Sequence, residues 1–435
     1  MTYFACILAA AVPLATTNSD EARIERLIAS LGPSSIGSDG GLNERIEDTL
    51  ARLIRKSTPG VERLIVEINS KDFERRTRVI SALSRIGDAR AKEPLYAVFR
   101  QNPRDSAAIR ALGVLGERRI APKLIERVLM MPQESQVEIE ALRALGDPTA
   151  EEAYRAALRT KTVAIPGCLA PGIFSEPFRP AALGIAELGD AESVLKELSA
   201  SSDWRDRRGS AIGLVKGAES FALPTLRKLA RDKQAEVRGE ALVTLGIRRD
   251  ADALPLFYEG LGDKDVRGKA LEGLSYLADP QMVHVVMALK DEEPDLVARV
   301  LCGTDSDEAS VAHKGLILDR NDRVAAAAIN ALSSNIIRHE LAVFALETRP
   351  DHAYAAATVL ARFSALGISQ LSAFAGSSDS RIGTAVALAL QMTNDEVAIP
   401  ILRSMLRDTN KEVAEMARYA LERLLITLGL LAPRF

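Results

Sequence analysis

The sequence is poor in aromatic residues and in cysteine. Only 4% of its 435 residues are aromatic, as 11 Phe, 7 Tyr and 1 Trp, and there are three cysteines. So few cysteines exclude a disulfide scaffold, and 47% of hydrophobic residues excludes a disordered chain. The core must be built mainly from Ala, Leu, Val and Ile. That composition suits stacked helices with closely approaching backbones, although the length also fits two or three ordinary domains.

Neither sign of charge dominates the chain. Lys and Arg total 56 against 59 Asp and Glu, which gives a net charge near −3 at pH 7. This balance provides no global positive field that would collect nucleic acid or an anionic membrane surface. Binding to a polyanion would need a local basic patch.

The amino terminus carries an apolar run that is too short to cross a bilayer. Residues Tyr3 to Leu14 form 12 apolar positions, whereas a membrane span needs about 20. The length and the polar exit favour a signal peptide in residues 1–19, although no Lys or Arg precedes the run. We therefore expect export to the periplasm, with a buried or partner-bound segment as the alternative. Residues 20–41 are predicted to form a helix at 20–31 and then a flexible Gly/Ser-rich loop.

A repeat of about 30 residues organises the rest of the chain. It aligns on an Ala-Leu pair followed by Gly, as in ISALSRIGDARAKEPL (80–95) and IEALRALGDPTAEEAY (139–154). The aligned glycines recur every 28 to 30 residues with one interruption: Gly87, Gly116, Gly146, Gly189, Gly217 and Gly246. A period between 20 and 50 residues is typical of a solenoid.

Each copy of the repeat predicts a helix, a turn and a second helix. Val237, Ala241 and Leu245 recur at i, i+4 and i+8, which places one apolar stripe along the first helix. The glycine supplies a helix C-terminal turn where a positive φ costs little, and the Asp or Pro after it begins the next element. A pair of about 30 residues cannot bury its apolar face alone, so neighbouring pairs must stack.

Residues 236–246 (EVRGEALVTLG), with companions at 265–271 and 206–212, carry the family signal. They resemble HEAT repeats, in particular the short bacterial form of the phycobilisome lyases. The resemblance covers roughly 73–435 and implies an all-α fold, a right-handed α-solenoid (superhelix) of about 12 HEAT-like helix pairs. Because residues 43–68 keep the same helix–turn–helix spacing, the predicted solenoid domain extends over 42–435.

One insertion breaks the period. Gly146 and Gly189 are 43 residues apart, and the surplus falls in residues 162–178, which contain several Pro-containing turns. We predict an ordered loop on one face of the solenoid, where repeat proteins often place binding elements. Alternatively, its two phenylalanines only pin the loop onto neighbouring helices. The candidate partner-binding residues are Cys168, Phe174 and Phe178 in the loop and Trp204 after it.

Arginine recurs early in the first helix of many pairs, with acidic residues nearby. The arginines are Arg78, Arg208, Arg238, Arg267 and Arg323, and the acidic residues are Asp206, Asp232, Asp263, Asp265 and Asp322. The HEAT resemblance implies an Asp–Arg ladder between adjacent pairs. The alternative is a basic groove for a phosphate backbone or an acidic partner, because guanidinium groups suit phosphate. The interspersed acidic residues weigh against that groove.

No motif for metal or nucleophilic chemistry is present. The four histidines are His284, His313, His339 and His352, and neither an HEXXH motif nor a paired-Cys spacing occurs. The helical iron hydroxylases built on HEAT repeats use several His-Glu pairs, and here only His339-Glu340 matches. Cys302 is predicted to be a small apolar core residue. We expect no catalytic residue, no metal site and no cofactor.

The sequence favours a non-enzymatic function. We expect a scaffold or adaptor that binds another protein through its concave face or its inserted loop, as a monomer or weak oligomer. The alternatives are a nucleic-acid-binding HEAT-like protein and a lyase-type enzyme or its subunit, by analogy with the bilin lyases. A protein binder predicts mixed charge, a nucleic-acid binder predicts a continuous Arg stripe, and a lyase predicts a deep apolar slot beside Cys or carboxylates.

Overall fold

The computed structural model describes residues 20–31, 40–54, 59–160, 177–333 and 338–431. These residues form 26 α-helices, and no strand occurs among them. The helices before the insertion are α1 (Asp20–Ser30), α2 (Gly40–Ile54), α3 (Pro59–Glu67), α4 (Phe73–Ile86), α5 (Lys92–Gln101), α6 (Ser106–Val114), α7 (Ala121–Met130), α8 (Gln136–Leu145) and α9 (Glu151–Leu158).

The helices after the insertion continue the same order. They are α10 (Phe178–Ile185), α11 (Ala191–Ser199), α12 (Trp204–Gly213), α13 (Glu219–Leu229), α14 (Ala235–Ile247), α15 (Leu254–Gly262), α16 (Arg267–Leu277), α17 (Val283–Met287), α18 (Pro294–Gly303), α19 (Asp307–Ile317), α20 (Asp322–Ala331), α21 (His339–Thr348), α22 (Ala353–Leu360), α23 (Ser364–Phe374), α24 (Ser380–Met392), α25 (Ala398–Met405) and α26 (Lys411–Thr427).

The even-numbered helices are the first helices of the pairs, and the odd-numbered helices are the second helices. From α2 to α25 they form 12 consecutive pairs. The prediction of an all-α solenoid of about 12 helix pairs is confirmed. Its right-handedness stays a prediction.

The chain divides into two compact units. Unit 1 comprises Met1–Leu115 and Leu390–Phe435, and unit 2 comprises Gly116–Ala389. Within unit 1, α2, α4 and α6 stack in order, and α26 packs against α2. Within unit 2, the first helices from α8 to α22 each pack against the next one. The division at residues 1–19, 20–41 and 42–435 stays a prediction, and most of the inserted loop lies outside the described residues.

The predicted apolar stripe of α14 is buried. Val237, Ala241 and Leu245 are fully inaccessible, and so is the corresponding Ala270 of α16. The burial of α14 extends beyond the stripe, because every residue from 239 to 246 is buried. Because Gly and Ala have small side chains, a helix that carries them on several faces can approach its neighbours closely on all sides. A chain with few aromatic residues suits this close packing.

The glycine corners are confirmed for the early pairs. Gly87 ends α4 with φ 74° and Gly146 ends α8 with φ 58°, both in the left-handed region. Asp88 and Asp147 follow them, and their side chains accept backbone hydrogen bonds from Arg90 and from Thr149. A left-handed residue and a carboxylate cap therefore turn the chain from each first helix into the next element.

The same prediction is wrong for Gly246. This glycine lies inside α14, and the left-handed residue is Arg249, with φ 54°. The reason is packing, because a Cβ atom at Gly246 would lie 2.0 Å from the carbonyl oxygen of Gly273 on α16. Gly246 therefore permits a backbone contact between two first helices. Gly189 and Gly217 also have no positive φ.

Candidate protein-interaction surface

Arginines near the start of successive first helices bridge adjacent pairs in unit 2. The Arg207 guanidinium donates from Nε and Nη2 to the carboxylate of Asp232, at 2.7 and 2.9 Å. Its Nη1 donates to the carbonyl oxygens of Ser201 and Ser202 at 2.9 and 3.1 Å. Each guanidinium group can therefore hold its own turn and the turn of the next pair together.

The next two arginines repeat this geometry. Arg238 donates to Asp263 at 2.6 Å and to the carbonyl oxygen of Asp232 at 3.0 Å. Arg267 donates to Glu292 at 2.6 Å and to the carbonyl oxygen of Leu261 at 2.9 Å. In all three cases the acceptor carboxylate lies 25 residues further along the chain. Hydrogen bonding from Arg238 lowers the pKa of Asp263.

The ladder predicted from the resemblance is therefore present, with corrections to its members. Arg207 takes the position that was predicted for Arg208. Asp206 pairs instead with Arg159, at 3.0 Å from both nitrogen donors. Asp322 pairs with Arg349, which was not among the predicted arginines. These guanidinium groups are engaged by carboxylates, so they do not form a stripe of unbalanced positive charge.

Arg208 covers the ring of Phe178. Phe178 is the first residue of α10 and is 6% exposed. The guanidinium carbon of Arg208 lies 3.4 Å from the centroid of its ring, which is a cation–π contact. The burial of Phe178 favours the interpretation in which it pins the start of α10, while its partner-binding role stays a prediction.

A buried carboxylate joins three first helices beside this contact. Glu240 of α14 has a side chain that is 7% exposed, and it accepts from Arg179 of α10 at 2.7 Å. The ammonium group of Lys269 on α16 lies 3.4 Å from Glu240 and 2.9 Å from Glu272. Arg179 and Lys269 remain 40% and 39% exposed. Opposite charges therefore alternate across α10, α14 and α16.

We call this group the Glu240 surface. It comprises Phe178, Arg179, Arg208, Glu240, Lys269 and Glu272. The stem of Lys269 lies over Gly239, where a Cβ atom would come within 2.9 Å of its Cγ atom. A small residue thus lets the lysine lie flat against α14. Sequence reasoning missed Arg179, because its partner is 61 residues away.

The other sequence candidates have different placements. Trp204 opens α12 and is partly exposed, with the guanidinium carbon of Arg205 lying 5.0 Å from its ring centroid. Cys168 and Phe174 lie outside the described residues. The placement of these residues does not show whether they bind a partner, so their partner-binding role stays a prediction. Cys302 is fully buried, as the sequence indicated for a core residue.

A cluster of potential metal ligands lies elsewhere in unit 2. The ligand atoms of Asp322, Asp351 and His352 lie within 4.8 Å of one another. Arg349 donates to Asp322 at 3.0 Å and to Asp351 at 2.7 Å, so a guanidinium group already balances the carboxylates. Hydrogen bonding from Arg349 lowers the pKa of Asp351 to about 2. Ion pairing accounts for this cluster.

Unit 1 contains a cavity of about 400 Å³. Its lining is mainly polar and charged: Arg23, Thr49, Arg52, Leu53, Asn394, Asp395, Glu396 and Leu428. Carboxylates are present, but the surrounding side chains do not form the deep apolar slot that the lyase alternative predicts. None of the helices in the described ranges is long and apolar enough to span a membrane.

A family model of HEAT repeats matches residues 191–275 and 340–422. No curated protein matches the sequence. Among solved structures, the Escherichia coli protein YibA aligns at 16% identity over 63% of this chain and 97% of YibA, with a TM-score of 0.31. Importin beta aligns at 10% identity over 94% of this chain and 64% of its own, with a TM-score of 0.35.

Kap121p aligns at 11% identity and a TM-score of 0.32, over 94% of this chain and 46% of Kap121p. The chain thus spans less than half of that protein. At these TM-scores the alignments say nothing about function. The family match covers α14 and most of α16, which supply Glu240 and Lys269. The chain therefore carries HEAT repeats in residues 191–275 and 340–422.

Proposed function

We propose that the protein is a non-enzymatic scaffold that binds another protein through the Glu240 surface. The observation that carries this proposal is the alternation of charge on the first helices of unit 2. Arg179 and Lys269 are exposed cations beside the carboxylates of Glu240 and Glu272. A surface of this kind suits a partner with complementary charges of both signs, which confer specificity and orientation.

The charge pattern supports a protein partner over nucleic acid. A phosphate backbone is recognised by cations that track it, and its affinity depends on the number of phosphates neutralised. The ladder arginines Arg207, Arg238 and Arg267 instead donate to carboxylates at 2.6 to 2.9 Å. Carboxylates of the protein itself therefore balance the charge of these three arginines. The use of a concave face stays a prediction.

The Glu240 surface also includes a guanidinium group placed over a buried ring. The guanidinium carbon of Arg208 lies 3.4 Å from the centroid of the Phe178 ring, and a guanidinium group in this position can also contact a second ring or a carboxylate from a partner. Buried anchors surrounded by polar groups dominate many protein interfaces. We therefore place Arg208 and Arg179 at the centre of the contact and Lys269 at its edge.

The test is affinity capture from a nuclease-treated native extract, followed by quantitative mass spectrometry. One variant combines Arg179→Glu, Glu240→Arg, Lys269→Glu and Glu272→Lys, which reverses these four charges while each keeps a neighbour of opposite charge. The matched control exchanges Arg231, in the turn after α13, and Glu259 of α15, an exposed pair at 3.2 Å. We expect the inverted variant to lose one specific protein at least tenfold, and the control to retain it.

Equal recovery of the partner with the wild type, the inverted variant and the control would contradict the proposal. A partner that is captured from untreated extract but not from nuclease-treated extract would also contradict it. Circular dichroism must show the same helix content for each variant. The inserted loop is the alternative contact. Deleting residues 162–176 keeps Phe178 in place, so loss of the partner with this deletion alone would move the contact from the Glu240 surface to the loop.

A further inference from the structure

The helices α1 and α26 are the unpaired helices of the described chain. Every first helix from α2 to α24 is followed by a second helix. The last first helix, α26, is followed by no described second helix, and α1 precedes α2 without a described first helix before it. Both lie in unit 1. Among the residues that the structure describes, each lacks a partner helix that the other could supply.

The contacts of α1 are those of an ordinary second helix. In unit 2, the second helix α19 packs against the first helices before and after it, α18 and α20, and against the second helices before and after it, α17 and α21. Helix α1 packs against α26, α2 and α3. These are three of those four positions, with α26 in place of the preceding first helix.

Two arginines of α1 bind the end of α26. Arg23 donates from Nε to the carbonyl oxygen of Leu428 at 3.0 Å, and Arg26 donates to the carbonyl oxygen of Gly429 at 2.6 Å. Arg23 also pairs with Glu396 at 3.0 Å. The last carbonyl groups of a helix have no partner within the helix, and cations stabilise that end.

Apolar side chains of α1 also contact the end of α26. Leu27, Ile28 and Leu31 are at most 1% exposed. Gly429 has φ 69°, and a Cβ atom there would lie 2.9 Å from both the carbonyl oxygen of Arg23 and the Leu27 side chain. The backbone after α26 therefore rests directly on α1.

We propose that α26 and α2 form a helix-binding groove and that α1 fills it to complete a composite helix pair. The pair consists of a first helix from residues 411–427 and a second helix from residues 20–30. It acts as a noncovalent clasp within unit 1. When α1 leaves the groove, the apolar side of α26 becomes exposed to solvent. Local unfolding of α1 and local unfolding of α26 are therefore coupled.

The test is hydrogen–deuterium exchange of the full chain with mass spectrometry. The clasp variant combines Arg23→Ala and Arg26→Ala. We expect exchange to rise about tenfold in residues 20–30 and equally in 411–427, since loss of charge-assisted hydrogen bonds weakens both sides of the contact. Exchange in α8 should not change.

The matched control is Arg349→Ala, which removes an arginine that binds the carbonyl oxygen of Ile317 at 2.9 Å and so joins two neighbouring pairs of unit 2. It should leave residues 20–30 and 411–427 unchanged. A rise in 20–30 alone, with α26 still protected, would overturn the proposal. If the clasp variant does not fold, wild-type exchange in increasing urea decides. Helices α1 and α26 must then share one opening free energy and one urea dependence, and different values would overturn the clasp.

Discussion

The substitution Gly246→Ala tests the close packing of first helices. Its Cβ atom would lie 2.0 Å from the carbonyl oxygen of Gly273, and an ordinary contact needs 3.4 Å, so α14 and α16 must separate by 1.4 Å. Overpacking against backbone costs up to about 3 kcal/mol. Alanine regains about 1 kcal/mol of helix propensity over glycine. We expect a net loss of about 2 kcal/mol.

The matched control is Gly315→Ala on α19. Gly315 is exposed, has no positive φ, and a Cβ atom there would meet nothing within 4 Å. The same substitution should therefore stabilise the chain by up to about 1 kcal/mol. The assay is urea unfolding followed by circular dichroism, with hydrogen exchange over residues 235–277. Because repeat proteins can unfold in parts, the local exchange rates carry the comparison. A Gly246→Ala protein as stable as wild type would refute the packing argument.

Three further predictions concern buried groups of unit 2. Burial lowers the pKa of His313 from 6.5 to about 4, so between these pH values the unfolded chain binds more protons than the folded chain. About 3 kcal/mol of stability should therefore be lost as the pH falls from 6.5 to 4, and His313→Leu should remove this pH dependence from the midpoints of urea unfolding. Arg207→Ala should cost up to about 3 kcal/mol, because the carboxylate of Asp232 is only 10% exposed and would lose its guanidinium partner. A double-mutant cycle with Asp232→Ala that shows no coupling would contradict the ladder. Phe178→Ala should lower stability by about 3 kcal/mol if the ring pins α10, and an unchanged thermal midpoint would instead favour a role in partner binding alone.

Local patterns account for the part of the fold that the sequence could predict. The stripe of Val237, Ala241 and Leu245 depends only on helical periodicity, and each of these side chains is buried. Gly87 and Gly146 act within one turn of their own helices, where a positive φ is a local requirement. Such features depend only on residues close by in the chain, so the repeat pattern can identify them where they occur.

Contacts between distant segments account for what was missed. Gly246 aligns with the corner glycines, but its role depends on Gly273 in the next first helix. Arg207 and Arg208 are adjacent in sequence, and only the packing of α12 decides which one meets Asp232. The contact of Arg23 with Leu428 joins residues 405 positions apart. A repeat pattern predicts stacking of neighbours and gives no signal that the first and last described helices would meet.

Partner binding by the Glu240 surface is tested most directly by a hydrogen-exchange footprint. Exchange is measured for the protein alone and with the partner captured from native extract. We expect slower exchange in residues 178–185, 204–213, 235–247 and 267–277 when the partner is bound. Protection confined to second helices, such as 219–229 and 254–262, would contradict the account.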